Sequence, residues 1–220
     1  MHKIINNFLD IQNSLKIKLD ELNYNNYSPK IVAVSKTFSM DQILPLINHG
    51  HLDFGENKIQ EAINKWTTIK SKNRNIKLHF IGRLQTNKVK DVLKIFDYIH
   101  SLDSEKLANK ISNEQIKQNR KPKIFIQVNI GEEEQKSGIK KENLLEFHKV
   151  CKKLNLDIIG TMCIPPNNNK TEKYFSEMNQ INRELKFIDL SMGMSGDYLE
   201  AVNYGSTFLR IGSKIFGNRN

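Results

Sequence analysis

The stretch Ile31-Val32-Ala33-Val34-Ser35-Lys36-Thr37-Phe38-Ser39-Met40-Asp41-Gln42 decides the fold. Its first four residues form a short apolar run rich in β-branched side chains, the composition of a buried strand. Ser39 and Gln42 then stand three apart, as N-cap and N3 of a capping box, so a helix begins at Met40 and runs to about Asn48, shortened or kinked by Pro45. A strand followed so closely by a helix is a β-α unit, and Lys36 falls just past the C-terminal end of its strand.

The same unit repeats along the chain. Further strands are expected at residues 52–54, 78–81, 98–100, 124–129, 157–162, 187–191 and 207–210, and helices at 58–69, 87–95, 104–119, 143–154, 171–185, 198–204 and 214–216. Upstream, Ile4, Phe8, Ile11, Leu15, Leu19 and Leu22 recur at spacings of three and four, one apolar helical face that ends before Asn25-Asn26 and has no strand in front of it. Eight strand-helix units predict a parallel sheet, and the number favours closure into a (β/α)8 TIM barrel. An open doubly wound sheet would need a Gly-rich turn where Ser35-Lys36-Thr37 stands. The expected fold class is therefore α/β, a single TIM-barrel domain over residues 1–220 with an extra N-terminal helix, compact for a fold that usually takes about 250 residues.

With 38% hydrophobic and 26% charged residues the chain is polar yet long enough to bury one core, which excludes disordered and collagen-like classes. No apolar run approaches the roughly 18 residues of a membrane span, and MHKIINNFLD lacks the uninterrupted apolar stretch of a signal peptide, so a cytoplasmic location is expected. The 34 basic and 24 acidic residues give a net charge of +10, which invites a nucleic-acid partner. Only six of the 34 are arginines, and the lysines are scattered among asparagines and isoleucines. The densest basic stretch, residues 65–77, reads as the exposed end of a helix and its loop, so a solvated face is favoured over a nucleic-acid site. Cys151 and Cys163 have no second pair and no His at ligand spacing, so neither a zinc site nor a disulfide framework is suggested, and both read as buried thiols.

In such a barrel the site lies at the C-terminal ends of the strands. Polar residues just past the expected strands include Lys36, Glu56-Asn57, Gln85, Ser101, Asp103 and Asn129, then Ser191-Met192-Gly193-Met194-Ser195-Gly196 and Arg210-Ile211-Gly212-Ser213. The last two groups each lead into a helix, and their small residues would let an anion approach backbone N-H groups, after the two strands where this fold commonly holds phosphate. The alternative is that they are ordinary loop glycines and caps. A lysine in a barrel mouth is partly desolvated, which disfavours its ammonium form and frees a nucleophilic amine able to form Schiff bases with aldehydes. Lys36 beside a phosphate cradle points to pyridoxal 5'-phosphate as ligand, against the alternative of a lysine that snorkels to solvent. Arg210 would reach the pyridine nitrogen, or pair with Glu56 or Asp103.

Eight ordered segments extend this reading. They are Val32-Ala33-Val34-Ser35-Lys36-Thr37; Phe54-Gly55-Glu56-Asn57 with Gln60-Glu61; His79-Phe80-Ile81-Gly82 with Leu84-Gln85-Thr86-Asn87-Lys88; and His100-Ser101 with Asp103. Then come Gln127-Val128-Asn129-Ile130 with Lys136-Ser137-Gly138; Gly160-Thr161-Met162 with Ile164-Pro165; Leu190-Ser191-Met192-Gly193-Met194-Ser195; and Gly205-Ser206-Thr207 with Arg210-Ile211-Gly212 and Ile215-Phe216-Gly217. Through them the chain resembles, along essentially its full length, the pyridoxal phosphate homeostasis protein family, also described as the YggS/PROSC family. The resemblance implies a fold-type III barrel similar to the N-terminal domain of alanine racemase. It implies that Lys36 carries the cofactor, that Met194, Ser195, Gly212 and Ser213 hold its phosphate, and that Arg210 meets its ring nitrogen. Asn57 and His79 match family positions in the mouth. Departures are local: Phe38-Ser39 follows Lys36-Thr37 where Lys or Pro is common, Arg83 replaces a usual Pro, Gly131 a usual Ser, and Ser213 a frequent Thr. None removes an implied contact.

The function expected is that of a carrier, not an enzyme: a monomer that binds and buffers pyridoxal 5'-phosphate and helps deliver it to apo-enzymes that depend on it, with no specific nucleic acid and no membrane. An amino-acid racemase needs two acid/base groups on opposite faces of its substrate adduct, one of which alanine racemase takes from a separate C-terminal domain across a dimer. A chain ending three residues past Gly217 is expected to lack that domain. The alternative is a cryptic racemase or lyase using Lys36 with a Tyr or His from a loop.

Overall fold

The computed structural model describes residues 2–24 and 27–217. Eight parallel strands follow one another around it: β1 (Lys30–Val34), β2 (Asp53–Glu56), β3 (Lys77–Phe80), β4 (Tyr98–Leu102), β5 (Lys123–Gln127), β6 (Asp157–Met162), β7 (Asp189–Met194) and β8 (Phe208–Ile211). Each pairs with the next, and β8 pairs back with β1 through Val32 and Arg210, which closes the barrel. The strands are followed in turn by α2 (Met40–Asn48), α3 (Ile59–Lys72), α4 (Val89–Ile95), α5 (Glu105–Gln118), α6 (Leu144–Lys153), α7 (Thr171–Glu184), α8 (Tyr198–Asn203) and α9 (Ser213–Phe216). This is the expected (β/α)8 architecture, with α1 (Lys3–Glu21) as the extra N-terminal helix.

Because every strand is covered on both faces, alternate side chains serve two cores. Outward residues such as Ile31, Ala33, Leu190 and Leu209 pack under the helices, where Trp66 of α3 meets Phe54 of β2 with ring centroids 4.8 Å apart. Inward residues Val32, Tyr98, Phe125, Met162 and Phe208 form a separate cluster that fills the barrel. Gly55 faces this interior, and a Cβ on it would stand 3.1 Å from a Val32 methyl, so its missing side chain is space that a neighbour already uses. A packed interior leaves the C-terminal mouth as the place for a site.

The N-terminal helix lies outside the barrel with Ile4, Phe8, Ile11 and Leu15 buried, and Asn7 Nδ2 donates to the carbonyl of Ile215 at 2.9 Å, which ties α1 to α9. It ends at Glu21, before the expected boundary at Asn25-Asn26, which lies outside the described residues. Pro45 does not end α2.

Among the strands the largest shift from expectation is β7, which runs to Met194 rather than Ser191. Gly193 signals a loop in the sequence, yet here it is a strand residue with φ of +86°, and the pairing with β8 shifts register between Ser191 and Met194. The glycine lets the strand bulge over α8, where a Cβ would stand 2.6 Å from that of Ala201.

Candidate functional site

Lys36 follows β1 in a segment gripped on both sides. Ser35 Oγ donates to Glu56 Oε1 at 2.8 Å, and Lys65 Nζ donates at 3.0 Å each to the Ser35 carbonyl, to Glu56 Oε1 and to Glu61 Oε1. Glu61 Oε1 also accepts from the Thr37 backbone N-H at 2.7 Å. Thr37 has φ of +69°, a left-handed conformation that costs a β-branched residue free energy and persists only where its surroundings impose it. Trp66 Nε1 donates to the same Glu56 oxygen at 2.9 Å, so the clamp is anchored in the outer core. Residues 65–77, read from sequence as a solvated face, are in part the reverse: the Lys65 side chain is 9% exposed and Glu56 is fully buried. Burial follows because α3 turns Lys65 inward toward two carboxylates that need a cation.

Six of the eight expected site residues line one cavity of about 280 Å³: Lys36, Met194, Ser195, Arg210, Gly212 and Ser213. Its apolar wall comes from Val34, Phe38, Ile81 and Ile164, and Phe38 is stacked on Phe216 of α9 with centroids 4.9 Å apart. The volume is near the lower bound of about 300 Å³ for small-molecule sites, enough for one ring and its substituents. A larger and more open depression of about 800 Å³ adjoins it at Met194 and Gly196, along residues 167–173.

At the Ser195 end, backbone donors converge. The N-H groups of Gly212 and Lys214 donate to Ser195 Oγ at 3.2 and 3.3 Å, and the Met194 N-H donates to Asp197 Oδ1 at 2.6 Å. With α8 only six residues long and α9 four, helix dipoles add little here, and affinity for an anion rests on these N-H groups themselves.

At the cavity floor Arg210 is buried, with Nη1 donating to Ser191 Oγ at 2.6 Å and Nη2 to the Cys163 carbonyl at 2.8 Å. It pairs with neither Glu56, which Ser35, Lys65 and Trp66 occupy, nor Asp103. Burial pulls its pKa down from the usual arginine value, against the nearby Cys163 and Asp197, but a guanidinium stays charged at neutral pH. Burial pushes the Cys163 thiol up to about 12, and Cys151 likewise, so both are the inert buried thiols expected.

The remaining two expected residues do not line the cavity. His79 is fully buried in the barrel interior, stacked on Tyr98 with centroids 4.2 Å apart. Asn57 follows β2 beside Gly82, where a Cβ would stand 2.3 Å from the Asn57 carbonyl oxygen, and its Oδ1 is buried with no hydrogen-bond partner among the described residues. Sequence reasoning put His79 and Ser191 in the mouth and did not read the polar interior below Arg210, where Ser191, His100, His79 and Asp53 each point inward on a different strand. Period-two alternation was the available signal, since His79 shares a face with Ile81, His100 with Tyr98, and Asp53 with Gly55. No group of three or more His, Cys, Asp or Glu able to hold a metal occurs among the described residues. None of their helices is long and apolar enough to cross a membrane.

Comparison with known proteins matches this geometry to a family. The model of the alanine racemase N-terminal domain matches residues 15–220. The pyridoxal phosphate homeostasis protein of Haemophilus influenzae is 39% identical over 222 aligned positions, covering 96% of this chain and 93% of that protein. The protein of the same name from Aquifex aeolicus is 38% identical over 200 positions, covering 86% and 87%. Among solved structures, PipY of Synechococcus elongatus PCC7942 with PLP bound superposes with a TM-score of 0.81 at 30% identity, covering 91% of this chain and 98% of that one.

Proposed function

The chain belongs to the family of pyridoxal phosphate homeostasis proteins, built on the alanine racemase N-terminal domain, and from that premise we propose that it carries pyridoxal 5'-phosphate on Lys36, buffering and delivering it inside the cell. The observation that carries this reading is the convergence of Lys36, Arg210 and the donors around Ser195 on one cavity of about 280 Å³. The residues present fit that group: an amine after β1, anion-binding N-H groups after β7 and β8, and an apolar wall between. When bound, the cofactor supplies an aldehyde that condenses with a lysine amine with loss of water. Lys36 offers that amine from a segment held by Glu56, Lys65 and Glu61. The N-H groups of Gly212 and Lys214, with the Ser195 hydroxyl they now bind, would receive the phosphate. Phe38, Ile81 and Ile164 would give the ring an apolar wall.

A carrier role is supported by what surrounds Lys36. Among the described residues lining the cavity there is no His, Asp, Glu, Tyr or Cys beside Lys36, whereas racemisation takes two acid/base groups on opposite faces. A guanidinium only donates, so a ring nitrogen facing Arg210 stays unprotonated and makes a weaker electron sink than one facing a carboxylate. The reading includes a cytoplasmic monomer that hands the cofactor to apo-enzymes. A second reading, a racemase or lyase with weak activity, is favoured by the match to the alanine racemase domain, and amino-acid-dependent exchange of the α-proton with solvent would support it.

The test is visible absorbance of the purified chain with added pyridoxal 5'-phosphate, followed by borohydride and peptide mapping. A Schiff-base band that borohydride fixes on Lys36, and that Lys36→Ala abolishes, is the expected result. A wild type that stays colourless overturns the reading.

A further inference from the structure

Arg210 heads a chain of hydrogen bonds that runs through the barrel interior. Its Nη1 lies 2.6 Å from Ser191 Oγ, which lies 2.9 Å from His100 Nδ1; His100 Nε2 lies 3.0 Å from His79 Nδ1, and His79 Nε2 3.0 Å from Asp53 Oδ1. Ser191, His100 and His79 are at most marginally exposed, at 0% each. The chain thus joins the third residue of β8, under the mouth, to the first residue of β2, at the opposite end of the barrel.

The protons can be assigned from the two ends. Burial raises the Asp53 carboxyl, but its hydrogen bond with His79 leads the opposing causes, and the net effect holds Asp53 below its ordinary value, as a carboxylate that only accepts. His79 Nε2 therefore carries a proton. Burial lowers His79 despite Asp53, and burial with His79 and Arg210 takes His100 well below the ordinary histidine value, so both rings are neutral. A neutral His79 accepts at Nδ1, so His100 donates from Nε2 and accepts at Nδ1 from the Ser191 hydroxyl, whose oxygen accepts from Arg210. Every bond points from the guanidinium toward the carboxylate, an arrangement in which successive bonds polarise one another.

We propose that Ser191, His100, His79 and Asp53 are positioning residues for Arg210, holding its guanidinium toward the cofactor ring while placing its countercharge at the far end of the barrel. The placement has a chemical consequence. Arg210 has no ion-pair partner within 4.0 Å among the described residues, and no Asp or Glu is among those lining the cavity. A carboxylate on the guanidinium would compete for the N-H that the ring nitrogen needs; a relay through neutral groups stabilises the cation and leaves that N-H to the cofactor. This inference rests on the assignment of Arg210 to the ring nitrogen.

Two measurements test it. In the unloaded full-length protein, imidazole ¹⁵N spectra are expected to give His79 and His100 both as the neutral Nε2-H tautomer; an Nδ1-H tautomer or an imidazolium at either ring near neutral pH overturns the chain whether or not cofactor binds. In protein loaded with pyridoxal 5'-phosphate, Asp53→Asn keeps an acceptor for His79 but removes the charge. Its Schiff-base band is expected to titrate about 0.5 pH unit lower than wild type, because loss of a distant anion disfavours the protonated imine. His100→Phe, which keeps a ring against Phe125, is expected to move the band as well, whereas Asp157→Asn, on the first residue of β6 and outside the chain, leaves it in place. Folded Asp53→Asn protein with the wild-type band and midpoint would sink the proposal. A wild type without a trappable lysine would instead remove the cofactor reading, leaving the tautomer measurement to decide the chain.

Discussion

Lys65 Nζ donates to the backbone carbonyl of Ser35 at 3.0 Å, one peptide bond before Lys36. The same ammonium neutralises Glu56, so one side chain both orients the functional segment and compensates a buried charge. Lys65→Met leaves the Glu56 carboxylate buried and unpaired and is expected to cost about 3–5 kcal/mol in urea unfolding. Glu61→Gln, at a partner with 28% side-chain exposure, is expected to cost about 1 kcal/mol or less. Adding Glu56→Gln to Lys65→Met should recover part of the loss, which equilibrium unfolding of the double variant measures.

Acid is expected to destabilise the fold from near pH 6.5 downward. His79, His100, His51 and His148 all have pKa values lowered chiefly by burial. Below the unfolded value of about 6.5 the unfolded chain binds protons that the folded chain does not, so stability falls as pH falls, by up to about 1.4 kcal/mol per pH unit for each such histidine. The lowered carboxyl of Asp53 acts further down: its stabilisation is present above about pH 4 and is lost as pH drops through its folded value. Urea midpoints measured from pH 7.5 to 5 should decline, and His148→Gln should flatten the slope.

Asp197 holds the Met194 N-H at the end of the cavity where the phosphate is proposed to sit. Its carboxylate competes with, and repels, an arriving phosphate. Asp197→Asn keeps an acceptor and removes the charge, so pyridoxal 5'-phosphate is expected to bind about tenfold tighter, the effect of roughly 1.4 kcal/mol between nearby like charges in a partly solvated site. Absorbance titration gives the affinity, and an unchanged Kd would show that Asp197 does not oppose binding.

Gly193→Ala forces a side chain into the left-handed region and against Ala201, and a loss of about 2 kcal/mol or more is expected in thermal or urea unfolding. Gly196→Ala, where a Cβ meets nothing within 4 Å, is expected to change stability by about 0.5 kcal/mol or less.

The β-α alternation was legible because it is written in local periodicity: a run such as Ile31 to Val34 followed by a Ser39–Gln42 cap needs no distant partner to be read. Lys36, Arg210 and the segments at Ser195 and Gly212 were legible for a related reason, since each directly follows or ends a strand and the barrel sends all strand ends to one mouth. Gly193 was misread as loop because φ alone does not distinguish a turn from a bulge. Lys65 was misread as solvated because its burial depends on Glu56, which β2 delivers beneath α3 from nine residues away.

The sequence by itself determined the eightfold unit, the N-terminal helix, the lysine after the first strand and the family likeness, because these are properties of spacing and residue type along the chain. Only the tertiary structure decided what stands behind them: that Lys65 and Glu61 grip the segment around Lys36, and that Arg210 connects through Ser191, His100 and His79 to Asp53. Those contacts connect Asp53 to Arg210 through three intervening side chains, and closure of the barrel, by pairing β8 with β1, is what brings each successive pair within hydrogen-bond reach.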